Sequence, residues 1–157
     1  MYILALDISL VNTGGAVFRE DGSVVEVFSV STSAKDSTQV RLKKIADFFI
    51  ELKKKYIFDL VIMEKGFSKF NTATQQIYRV VGVINCLLWK SEQIYIAATT
   101  VKKEIGGNGK ADKKVVRKNV EKIWQNLNIE NEDESDALAV GATYFFQNNI
   151  LKRGSNE

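Results

Sequence analysis

The sequence predicts an α/β domain built on a mixed five-stranded sheet: a three-strand antiparallel meander plus two parallel strands, flanked by helices. Three observations carry this expectation. Two apolar runs, 2–7 and about 57–63, read as buried strands, and each leads into a lone carboxylate, Asp7 and Glu64. Asp21-Gly22 between two further apolar runs is a tight hairpin signal. Segments of helical periodicity then separate the later strands, so those strands are joined by crossovers and pair in parallel with right-handed connections.

The elements follow in order. Residues 2–7, about 14–20 and 23–30 are strands joined by short links, which makes a meander. Residues 31–38 form a polar loop rich in Ser and Thr. A helix over about 39–55 places Ile45, Phe48, Phe49, Leu52 and Tyr56 on one face. The fourth strand, 57–63, leads into Glu64 and a loop containing Gly66, Phe67, Ser68 and Lys69. A helix over about 73–90 carries Ile77, Val80, Val81, Ile84, Leu87 and Leu88 on more than one face, so it is deeply buried or shared with a second subunit. Residues 93–98 are the fifth strand. A basic segment with a glycine loop, Ile105 to Lys110, comes next. The last helices run over about 112–127 and 133–149, with Gly141 tolerated inside the second. The order is βββ-α-β-α-β-α-α in one domain, 1–150, followed by a flexible tail, 151–157.

A chain of 157 residues is long enough for one real core. The net charge of +3 says little, but its distribution says more. Lys102, Lys103, Lys110, Lys113, Lys114, Arg117, Lys118 and Lys122 crowd one segment, and Glu130, Glu132, Asp133, Glu134 and Asp136 crowd the next. A basic patch beside an acidic cluster suits a protein that grips polyanions and places cations among them. Two solvated helix faces would look the same. The single cysteine, Cys86, permits no disulfide within the chain, fits a reducing compartment, and is expected to be buried as a small hydrophobe. No signal peptide or membrane span is legible, so a cytoplasmic location (in a bacterial host cell) is expected. With no histidine and one cysteine, there is no imidazole base and no zinc cage. Catalysis must use carboxylates, lysines, hydroxyls and a hard metal such as Mg²⁺ or Mn²⁺.

The carboxylates carry the chemistry. Two readings fit Asp7: it balances a divalent cation, or it caps the turn that follows. Asp7 and Glu64 each stand at the carboxyl end of an apolar strand, where sites form in open α/β sheets. Asp133 and Asp136 are three apart and share one side of a helical first turn. Glu132 and Asp136 also share a face, so spacing alone does not select Asp133, and acids are favoured at helix starts in any case. Four carboxylates at one point repel one another and make sense around cations. Two ions ~3.5–4 Å apart are the usual arrangement for cutting phosphodiesters.

Asp7-Ile8-Ser9-Leu10-Val11-Asn12-Thr13-Gly14 resembles the opening Asp-x-Gly-x-x-x-Thr-Gly of the RuvC family of Holliday-junction resolvases, in the RNase H-like superfamily. Val61-Ile62-Met63-Glu64 resembles that family's second acidic strand end. Asp133-Glu134-Ser135-Asp136-Ala137-Leu138-Ala139 resembles its closing Asp-x-x-Asp-Ala-x-Ala, which selects Asp133 over Glu132. Val101-Lys102-Lys103 and Ala111-Asp112-Lys113-Lys114 resemble its two basic segments. The resemblance spans nearly the whole chain, in order.

What the resemblance implies is a homodimeric, Mg²⁺-dependent endonuclease of RNase H-like fold that nicks two strands of a four-way junction symmetrically, with Mn²⁺ as a substitute. Asp7, Glu64, Asp133 and Asp136 would be catalytic metal ligands. Lys102 and Lys113 would contact phosphate, with Lys103, Lys110 and Lys114 beside them. Phe67 would stack on bases at the branch point. Ile8-Ser9 replaces the usual Pro-Gly, and the loop 106–109 is peculiar to this chain; with the short length, these features look like the phage-encoded branch. The competing expectations are a module that grips branched DNA without cutting and a nuclease of the same fold with another substrate. For the dimer, the sequence suggests a second face of the 73–90 helix drawing on Val80, Val83, Ile84 and Leu87.

Overall fold

The computed structural model describes residues 1–65 and 71–152. Its elements are β1 (Tyr2–Asp7), β2 (Asn12–Arg19), β3 (Val24–Ser31), α1 (Thr38–Lys55), β4 (Phe58–Lys65), α2 (Thr72–Leu87), β5 (Glu92–Ala97), α3 (Ala98–Gly106), α4 (Lys113–Ile123) and α5 (Glu132–Gln147). The sheet order is β3-β2-β1-β4-β5. β1–β2 and β2–β3 pair antiparallel, while β1–β4 and β4–β5 pair in parallel. This is the mixed sheet that the sequence predicts.

One element departs from that reading. Residues 98–106, expected to be a basic segment entering a glycine loop, form helix α3. The helix is nine residues long, too short for periodicity to reveal, and Ala97 at its start makes no side-chain cap hydrogen bond. Gly107, at φ 90°, closes it in the left-handed region that suits glycine. The glycine loop is thus the terminator of a helix.

Alternation along the strands sorts the side chains into two cores. Leu4 and Leu6 of β1 and Val61 and Met63 of β4 face α1 and α2, packing with Ile45, Phe49, Val80 and Ile84. Ile3 and Ala5 of β1 and Leu60 and Ile62 of β4 face α3, α4 and α5, packing with Val101, Val116, Leu138 and Phe145. The rings of Phe18 and Phe145 meet edge to face at 5.1 Å, tying β2 to α5.

Two expectations about α2 are corrected here. Val80 and Ile84 are fully buried against the sheet and are not available to a second subunit. Val83 and Leu87 are half-buried, and the outward face carries Tyr78, Gly82 and Cys86, with Trp89 in the turn beyond. Cys86 is exposed, not buried. The amphipathic pattern of α2 has one deeply covered side, and the cysteine falls opposite it. Among the described residues, no helix is long and apolar enough to cross a membrane.

The start of α5 is held from three directions. Asn131 caps it, its side chain accepting from the Glu134 amide at 3.0 Å, while the Glu134 carboxylate accepts from the Glu130 amide at 2.8 Å. Asn131 Nδ2 also donates to Ser29 Oγ of β3 at 2.9 Å. Against β2, the helix comes so close that a Cβ on Gly14 would lie 2.0 Å from the Asp133 carbonyl oxygen. Only glycine leaves that space.

Candidate active site

The register of β1 and β4 builds half of the site. Leu6 pairs with Met63, so Asp7 and Glu64 are the next residues along two adjacent parallel strands. Asp7 has the same parity as Ile3 and Ala5, and Glu64 the same parity as Leu60 and Ile62. Both acids therefore continue an apolar stripe that faces α5. The first turns of α5 supply Asp133 and Asp136, both half-buried.

The acids feel one another's charge. Asp7 is pushed up from the usual carboxylate range to about 7, first by burial and then by the charges of Glu64, Asp136 and Asp133. Glu64 is also raised, chiefly by burial and then by Asp136. Glu132 is exposed and absent from the charges that raise Asp7, whereas Asp133 is among them, although Asp133 does not line the cleft that Asp7, Glu64 and Asp136 share. Glu134 is buried and committed to capping.

The lysines divide. Asp7, Glu64, Lys102, Lys113, Val116 and Asp136 line one cleft. Lys113 Nζ donates to Asp136 Oδ2 at 2.8 Å, and that bond holds its ammonium above the ordinary lysine range. Lys113 and Lys102 both pull Glu64 back toward ionisation. Lys114 and Arg117 line a smaller depression beside Glu132, Ser135 and Asp136. Lys103, in the last turn of α3, and Lys110, in the loop after it, are exposed and lie outside the lining of both. Phe67 lies outside the described residues.

A hard divalent cation fits this donor set, because a carboxylate as buried as Asp7 ionises near neutral pH only at a cost that a cation would remove. Among the described residues, no three acids stand close enough together to hold an ion as they are. Two of the four are held by protein donors: Asp136 by Lys113 and Asp133 by Asn12 Nδ2.

Asn12 is the residue that sequence reasoning missed. It is an unremarked position inside the opening motif, and its partner lies 121 positions away. No local pattern marks such a pair.

Two strand-end acids beside a helix that begins with two more, on a mixed five-stranded sheet, make a candidate site of the nuclease class. Residues 3–144 match the family described as crossover junction endodeoxyribonuclease RuvC. A curated protein of that name from Alkaliphilus metalliredigens is 30% identical over 154 residues, covering 92% of each chain. One from Orientia tsutsugamushi (strain Ikeda) is 30% identical over 151 residues, covering 91% of this chain and 94% of its own. Among solved structures, Thermus thermophilus RuvC in complex with Holliday junction substrate superposes with a TM-score of 0.83 at 19% identity, covering 96% of both chains. Fowlpox virus resolvase in complex with Holliday junction DNA does so at 0.59 and 15% identity, covering 92% of this chain and 99% of its own. The chain belongs to the RuvC family of crossover junction endodeoxyribonucleases.

Proposed function

We propose that this endodeoxyribonuclease resolves four-way DNA junctions as a homodimer, by paired symmetric nicks that depend on Mg²⁺ or, in its place, Mn²⁺. The observation that carries the reading is the placement of Asp7 and Glu64 one residue beyond the last registered pair of two adjacent parallel strands, with Asp7 in the charge field of Glu64, Asp133 and Asp136. Such a set is electrostatically unfavourable alone and becomes favourable around divalent cations. When bound, the cations supply an activated water and a counter-charge for the leaving oxygen. Asp7, Glu64, Asp133 and Asp136 are the residues that would hold them.

The chain's other residues position the substrate. Lys102 and Lys113, on the wall of the same cleft, suit a DNA phosphate drawn toward the acids. Lys114 and Arg117 extend the positive edge along α4, and Lys103 and Lys110 offer longer-range attraction from exposed positions. Phe67, three residues after Glu64, is proposed to stack on bases opened at the crossover.

A four-way junction is two-fold symmetric, and each chain holds one set of acids, so matched nicks call for two chains related by a two-fold axis. The outward face of α2, with Tyr78, Gly82, Cys86 and the neighbouring Trp89, is the surface we assign to that contact. A phage-encoded origin rests on Ile8-Ser9, the glycine loop and the short length alone; the two curated relatives named above are bacterial. The test is a Mg²⁺-dependent cleavage assay at one salt concentration, comparing a four-way junction, a duplex, a flap and an RNA–DNA hybrid. Preference for the junction with paired nicks supports the reading. Preference for the hybrid transfers the site to another substrate.

A further inference from the structure

We infer that Asn12 is a positioning residue that sets the orientation of the Asp133 carboxylate toward cations; this rests on the metal-ligand role proposed above. Asn12 opens β2, two residues earlier than the sequence pattern suggests, and so pairs with Ser31 across the β2–β3 ladder. Ser31 Oγ donates to Asn12 Oδ1 at 2.7 Å. Asn12 Nδ2 donates to Asp133 Oδ2. The reverse flip of the amide would set its carbonyl oxygen against a carboxylate, two acceptors with no proton between them. The amide therefore has one sensible orientation, and Asp133 has one oxygen engaged by it. The other oxygen is the one left to the acid cluster.

The backbone of Asn12 is held as firmly as its side chain. Ser9 Oγ accepts from the Asn12 amide at 2.9 Å and donates to the Asn12 carbonyl at 2.8 Å. Thr13 Oγ1 donates to the Ser9 carbonyl at 2.7 Å. Ser9 belongs to the Ile8-Ser9 pair that stands where the family has Pro-Gly. The turn built on Ser9 and the asparagine that reaches Asp133 are thus one construction. The near contact of the Asp133 backbone with Gly14 keeps the helix within reach of the short asparagine side chain. Donors behind ligating carboxylates hold the ligand in its binding rotamer, and losing one typically weakens metal affinity by ~10–100-fold. A neutral amide belongs at the lower end of that range.

The experiment measures Mn²⁺ binding to the full chain without DNA, by the loss of the free-ion electron spin resonance signal. Melting temperature in EDTA and junction binding in EDTA are measured beside it. The variants are Asn12→Ala, Ser31→Ala, the double variant and Asp133→Asn. Asn12→Ala is expected to weaken Mn²⁺ binding roughly tenfold, with junction binding in EDTA unchanged. Ser31→Ala is expected to act in the same direction and less strongly, and the double variant to match Asn12→Ala, because Ser31 works only through the amide. Parental Mn²⁺ affinity in Asn12→Ala with a loss in Asp133→Asn overturns the inference alone. Parental affinity in Asp133→Asn overturns the metal role of Asp133 and the inference with it. If Asn12→Ala does not fold, Ser31→Ala decides: unchanged Mn²⁺ affinity there overturns the inference.

Discussion

Lys113 Nζ lies 2.8 Å from Asp136 Oδ2, so the acid cluster carries a cation of the protein's own. The side chain of Lys113 is two-thirds exposed, while that of Asp136 is largely covered, so the lysine reaches inward across the mouth of the cleft. The proposed function gives it two demands: to compete with a metal for Asp136, and to offer a charge to phosphate. The two roles predict opposite effects of its loss. Lys113→Met should bind Mn²⁺ more tightly than the parent, since a competitor and a repelling charge both disappear. The same variant should bind junctions more weakly, with the salt slope reduced by about one unit. Metal titration and salt-dependent junction binding on one sample check both. Weaker Mn²⁺ binding would mean that Lys113 organises the acids instead of competing for them.

Asp7 gives a pH signature. Its folded value, about 7, lies above its ordinary value of 3.8. Between those two pH values the folded state binds more protons than the unfolded state, so stability falls as pH rises through the window. The full effect is ~4 kcal/mol at most. Melting of the metal-free protein from pH 4 to 8 should show the decline, and Asp7→Asn should flatten it. Mg²⁺ should restore stability chiefly at the alkaline end. Glu64→Gln should melt no lower than the parent in EDTA yet leave junctions uncut; cutting at the parental rate would exclude Glu64 from the site.

Cys86 reports on the dimer. It is exposed in the single chain, on the face assigned to the second subunit. A maleimide should label it quickly where sedimentation shows monomers and slowly where it shows dimers. Tyr78→Asp, on the same face, should yield a monomer that still binds junctions but loses the pairing of nicks. Equal labelling rates at all concentrations would move the interface elsewhere.

Phe67→Ala tests the stacking role. Stacking contributes ~1–3 kcal/mol per base, whereas removing a buried Phe costs ~3–5 kcal/mol of stability. The expected result is an unchanged melting temperature and Mn²⁺ affinity with weaker junction opening and cutting. A fall in melting temperature in proportion to a buried ring would return Phe67 to the core.

Asp7 and Glu64 are conspicuous in the sequence because each is a carboxylate at the end of an apolar strand, whereas helical spacing leaves Asp133 and Glu132 open as partners of Asp136 and only the resemblance to the family's closing motif selects Asp133. The meander and the parallel pair followed from the hairpin signal and the crossovers. What stayed hidden was whatever depended on distant partners or short segments. Asn12 gains its meaning only from Asp133 and Ser31. Helix α3 is too brief to show a period and has no capping side chain. Periodicity in α2 marked several apolar faces but not which one the sheet covers, so Val80 and Ile84 were placed at the surface and Cys86 inside, the reverse of what the packing does.

The glycine at position 14 does not bend the chain: it lies within a regular strand and is not among the glycines with positive φ. Its work is that of a spacer gauge. A hydrogen atom, not a methyl group, separates the sheet from the carbonyl of Asp133. The distance between β2 and the start of α5 is therefore fixed at this point. A single added methyl at position 14 is expected to lift the helix start and carry Asp133 and Asp136 away from Asp7 and Glu64, so that whatever the four acids do together is set by the absence of one carbon atom.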